Sequence, residues 1–119
     1  MRLSGFENMD TQPVELNSRL ERVSGRFLAM VSTLSVLDPK PSRVFQDALG
    51  IKSPDVRELV KYWRLHGEPI SSTSKGYAYA HNQAELVVTI SHIKERSIKM
   101  FQVASALERV KFDDQMKLL

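Results

Sequence analysis

The short segment between Leu49 and Pro54 constrains this chain more than any other. Before it, Val44, Phe45, Ala48 and Leu49 fall at helical spacing on one face. After it, Val56, Leu59, Val60 and Trp63 form a second helical stripe. Gly50 lies between them, where a left-handed residue can turn the chain, and Ile51 is placed to plug the corner. Two amphipathic helices joined this tightly must cross and share one core. The first is expected to start at Ser42 as N-cap. The second is expected to start at Ser53 as N-cap, with Pro54 at the first helical position and Asp55 favourable in the first turn.

The second helix carries a separate basic stripe, Arg57, Lys61 and Arg64, at spacings i, i+4 and i+7. His66-Gly67 ends it. Residues 69–72 and 76–79 then read as two short strands. Thr73, Ser74 and Lys75 form their tip, and Gly76 supplies a flexible turn position.

The order of these pieces is helix, turn, helix, hairpin. The string ALGIKSPDVRELVKYWRLHGEPISSTSKGYAYA resembles the winged helix-turn-helix of the N-terminal domain of biotin protein ligase/repressors. Leu49-Gly50-Ile51, Arg64 with Gly67, and Lys75-Gly76-Tyr77 carry the resemblance, which covers residues 27–80. It implies double-stranded DNA binding, with a recognition helix starting near Ser53. Biotin chemistry is not carried over, because no ligase domain follows in the 39 residues after Ala80. The layout is also similar to that of small phage-encoded regulators.

On this reading Lys52, Lys75 and Arg64 meet phosphates, and Ser53, Arg57 and Lys61 read base edges. Ser74 and Gly76 form the wing turn. Arg64 has two roles open to it, bracing the wing or touching phosphate. Trp63 and Tyr77 are expected to pack in the core. The basic stripe alone would also suit a solvated helix face, and Asp55 and Glu58 dilute it.

Flanking segments add two long helices. Residues 13–37 read as one helix, with Leu16, Leu20, Val23, Phe27, Met30 or Val31, and Leu34 on one face. Its N-terminal half exceeds what a small winged core needs. Asp38-Pro39-Lys40-Pro41 ends it in an extended segment. A last helix starts at Asn82, with Glu85 reaching back in a capping-box pattern, and runs to about residue 110. Leu86, Ile90, Ile93, Ser97, Met100, Ala104 and Leu107 alternate at 4 and 3 along it, the seam of a coiled coil. Ile98, Phe101 and Val103 widen that face. The apolar residues of this seam, with Phe101, are expected to mediate a homodimer.

The fold expected is therefore mainly α with a small β-hairpin: a winged helix-turn-helix flanked by long N- and C-terminal helices. Residues 1–12 form an arm, 13–80 the winged unit with its extended first helix, 81–112 the dimerisation helix and 113–119 a tail. The 119 residues leave room for one core. Apolar content of 42% and charged content of 26% suit a folded soluble chain. The net charge of +3 is compatible with a nucleic-acid partner. Residues 41–80 hold six basic against four acidic side chains, so part of the excess falls on the helix-turn-helix.

Other chemistry finds little support. The chain has no cysteine, which excludes a disulfide framework and thiolate-bound zinc. His66, His81 and His92 lack metal-ligand spacing. Ser72-Thr73-Ser74-Lys75 matches the serine-x-x-lysine string of penicillin-binding enzymes, without their other motifs. No glycine-rich phosphate loop is present. The expectation is a DNA-binding protein of the cytoplasm of a bacterial cell or phage-infected host, with no enzymatic activity, no cofactor and no membrane span. It would regulate transcription or replication. A host or phage protein partner is left open, and the competing reading is a protein-interaction adaptor on the same scaffold.

Overall fold

The computed structural model describes residues 15–112. The expected arm and tail lie outside the described residues. Four helices and one hairpin follow in order: α1 (Ser18–Val31), α2 (Ser42–Leu49), α3 (Ser53–Leu65), β1 (Ile70–Thr73), β2 (Gly76–Tyr79) and α4 (Gln83–Glu108). The chain divides into two units, residues up to 86 and residues from 87 onward.

The first unit is built on two phenylalanines. Phe27 of α1 and Phe45 of α2 are fully buried, with ring centroids 5.1 Å apart and tilted. Tyr77 of β2 meets the Phe45 ring edge-on at 6.3 Å. Such offset aromatic contacts add specificity to the area they bury. Val31, Val56, Leu59, Val60 and Ile70 close the core around them. Trp63 packs against this cluster, and its indole N–H donates to the Ser24 carbonyl at 3.0 Å. Trp63 and Tyr77 are half-buried and pack against the core, in line with the expectation for both.

Helix α1 is shorter than the apolar periodicity predicts. It begins after Asn17, whose side chain accepts the Leu20 N–H at 2.9 Å. It ends at Val31, where the Ser32 and Thr33 hydroxyls bond back to the Ala29 and Met30 carbonyls. These hydroxyls compete for the carbonyls that further helix would use. The apolar stripe is not left over either. Leu16, Val23, Leu28, Met30 and Leu34, on the helix and just beyond its two ends, all pack on the core.

Two cap assignments shift by one residue. Pro41, not Ser42, precedes α2, and Lys52, not Ser53, precedes α3. Both residues are extended, and their carbonyls accept the first helical N–H bonds, from Val44 at 3.0 Å and Asp55 at 3.0 Å. The serines thus sit inside the first turn, and Pro54 is the second helical residue rather than the first. Gly50 ends α2 in the left-handed region at φ 65°, and Ile51 is buried in the corner, as the sequence requires.

The hairpin pairs Ile70 with Tyr79 and Thr73 with Gly76, leaving Ser74-Lys75 as its tip. Its outer edge is covered. Lys40, extended between Pro39 and Pro41, donates its N–H to the Tyr77 carbonyl at 2.9 Å and accepts the Tyr77 N–H at 2.8 Å. One residue of the linker thereby satisfies the backbone groups of an exposed strand edge.

Helix α4 starts as expected. Asn82 accepts the Glu85 N–H at 2.9 Å, and the Glu85 carboxylate accepts the His81 N–H at 2.8 Å. With 26 residues it is about 39 Å long. Leu86, Ile90 and Ile93 are half-buried and Thr89 is buried. From Lys94 to Phe112, every residue but the half-buried Ser105 is exposed. Among the described residues, no helix is long and apolar enough to cross a membrane.

Candidate nucleic-acid interface

Helix α3 is fixed from below by Val56, Leu59 and Val60, all buried. Its other face presents Ser53, Arg57 and Lys61. The Arg57 guanidinium donates to the Ser53 hydroxyl at 3.1 Å, one turn back, which holds the two side chains together. Lys61 is exposed and finds no partner among the described residues. Lys52 is exposed at the start of the helix, and Lys75 is exposed at the hairpin tip beside Ser74.

Asp55 does not belong to this face electrostatically. It accepts both terminal nitrogens of Arg19, each at 3.0 Å, and the Lys52 N–H at 3.0 Å. The Arg19 hydrogen bonds, followed by the Lys52 N–H, hold the Asp55 carboxyl below its usual range. Its charge is matched by a cation from α1, so of the two acids that dilute the stripe in the sequence, only Glu58 remains exposed and unmatched.

This shift has a stability consequence. A carboxyl whose pKa is lower folded than unfolded stabilises the fold above its unfolded pKa, and the contribution is lost as pH falls through the folded value. Asp55→Asn is expected to lower stability at neutral pH and to flatten its decline in acid. Urea midpoints measured from about pH 7 down to about pH 2 test this. An acid limb identical to that of the parent protein would contradict it.

Arg64 is committed to the hairpin. Its Nε donates to the Ile70 carbonyl at 2.9 Å and its Nη2 to the Ser72 hydroxyl at 3.1 Å. Of its two expected roles, the geometry supports bracing. A guanidinium can serve both acceptors at fixed spacing, whereas an ammonium cannot. Arg64→Ala is expected to cost about 1–3 kcal/mol of stability and to speed amide exchange in β1, with Arg64→Lys recovering little. Thermal unfolding and exchange rates check this; unchanged exchange at residues 70–73 would contradict it.

The hairpin has a second tie at its base, where the Tyr79 hydroxyl donates to the Glu68 carboxylate at 2.5 Å. That bond, with partial burial, raises the Tyr79 pKa. His66 caps the end of α3 with Nδ1 donating to the Tyr62 carbonyl at 2.8 Å, since a carbonyl can only accept.

The structure thus places Ser53, Arg57 and Lys61 on one helix, Lys52 immediately before it, and Lys75 on the hairpin that Arg64 braces. Sequence reading missed Arg19, Lys40 and Glu68. Arg19 and Lys40 act through partners 36 and 37 positions away, so no local pattern signals them, and Glu68 meets Tyr79 across the base of the hairpin. Among the described residues, no group of three or more histidine, aspartate or glutamate side chains could hold a metal ion. In comparisons with known proteins, no family model, curated protein or solved structure matches this chain.

Proposed function

We propose that this chain binds double-stranded DNA through a winged helix-turn-helix, as a small regulator of transcription or replication. The observation that carries the reading is the solvent face of α3. Ser53, Arg57 and Lys61 stand there together, while Asp55 is drawn away by Arg19. A helix with such a face suits the major groove, where arginine or lysine reads guanine O6 and N7. Lys52 at its start and Lys75 at the hairpin tip supply phosphate contacts. Arg64 contributes by holding the hairpin to α3 rather than by touching DNA. Two copies of the chain would place two such helices on paired half-sites.

Selection of bound fragments from random duplex DNA tests this reading. Enrichment of a defined motif is the expected result. A recovered pool indistinguishable from the input would overturn sequence-specific binding. The competing adaptor reading draws on the exposed apolar side chains of α4, which call for a protein partner in either case.

A further inference from the structure

Between Lys94 and Phe112, α4 exposes Met100 at 71%, Phe101 at 73%, Val103 at 60% and Leu107 at 66%. We infer that this stretch pairs with its counterpart in a second copy as an antiparallel two-stranded coil, with the two-fold axis at residue 102. The inference deepens the proposed homodimer and is independent of DNA binding.

Register distinguishes the possible pairings. Along the seam, Ser97 and Ala104 are small, and Met100 and Leu107 are large. A parallel in-register pair would set each residue against itself. Small would face small and large would face large, leaving alternate gaps and crowding. Its flanking positions would also set Arg96 beside Phe101 and Val103 beside Glu108. Neither pairing matches charge.

An antiparallel pair centred on residue 102 sets Ser97 against the second copy's Leu107 and Met100 against its Ala104. Each of the four layers then combines one large and one small side chain. On one flank, Lys94 faces Glu108 of the other copy, and the symmetry makes this pair twice. Phe101 meets Phe101 at the axis on that flank, and Val103 meets Val103 on the other. Phe101 and Val103, two of the three residues that widen the apolar face beyond a simple seam, are therefore covered by their own symmetry mates, while Ile98 lies outside the paired face. Sliding by one heptad in the direction of Ile90 sets Lys94 on Phe101 and Glu108 on Val87; sliding by two sets Lys94 on Lys94. Of these registers, only the one centred at 102 joins opposite charges.

The full chain has no native cysteine, so single cysteines report the register directly. Chains carrying Ser97→Cys are mixed with chains carrying Leu107→Cys and treated with a short bismaleimide, without DNA. The expected result is a covalent pair from the mixture and little from either chain alone. Linkage of Leu107→Cys to itself would show a parallel pair, and linkage of neither in a dimeric sample would show another register. A monomeric mass by light scattering would show that the face is covered by another part of its own chain or by a different protein. Any of these overturns the inference. Charge reversal gives a second readout. Lys94→Glu and Glu108→Lys should each weaken self-association about tenfold, and mixing the two should restore it as a heterodimer. Equal association of all three samples would also overturn it. Because no DNA is present, these outcomes are separate from success or failure of the DNA-binding reading.

Discussion

Gly76→Val is expected to destabilise the fold by about 3 kcal/mol or more and to abolish ordered binding by the hairpin. Two independent effects combine. Gly76 has φ 135°, a region that side-chain-bearing residues rarely adopt and that a β-branched residue resists most. In addition, a Cβ at this position would overlap the Lys40 carbonyl and the Pro41 nitrogen, which are backbone atoms and cannot swing aside. Relief would require Lys40 to leave Tyr77, breaking the two backbone bonds at 2.9 and 2.8 Å. Tyr77 would then lose its position against Phe45. Gly76→Ala should act in the same direction with a smaller loss, because alanine shares the overlap but lacks the branched side chain. Urea unfolding measures both variants. A midpoint for Gly76→Val equal to that of the parent protein would show that the close approach of Lys40 does not constrain this position.

The second large effect concerns the solvent face of α3, proposed to enter the groove. Arg57→Ala and Lys61→Ala should each weaken DNA binding by about 1–3 kcal/mol, with relaxed preference at one base position apiece. Both side chains are exposed on the face opposite the buried stripe, so the free energy of unfolding should change by no more than about 0.5 kcal/mol. Glu58→Ala supplies the control. It removes the unmatched acid beside the stripe and should leave binding equal or slightly tighter. If the arginine and lysine variants bind like the parent protein at fixed salt, this face does not enter the groove.

Local signals in the sequence located the turn and the helices around it. Gly50, Ile51 and the stripe from Val56 to Trp63 act over one or two turns, so spacing alone places them. The caps were misread by one residue because Ser42 and Ser53 have the right chemistry for capping. Their hydroxyls instead accept from Gln46 and Arg57, one turn on, once Pro41 and Lys52 hold the chain extended. Periodicity overran α1 because Leu34 still belongs to the core after the helix has ended. The linker gave no sign of its role. Its prolines marked an extended Lys40, but only the fold brings that residue against Tyr77, 37 positions away. Arg19 and Asp55, 36 positions apart, were hidden for the same reason. The α4 seam was legible as a pattern, whereas its exposure emerged only from the structure.

Salt dependence tests the proposed binding of DNA by this face most directly. Binding that neutralises phosphates releases counterions, so affinity should fall linearly on a log–log plot, with a slope of about −0.9 for each phosphate contacted. Contacts from Lys52 and Lys75 predict a slope of about −2 or steeper per chain, and Lys75→Glu should make it shallower. A duplex affinity that stays flat as salt is raised, or no duplex binding even at low salt, would contradict the account.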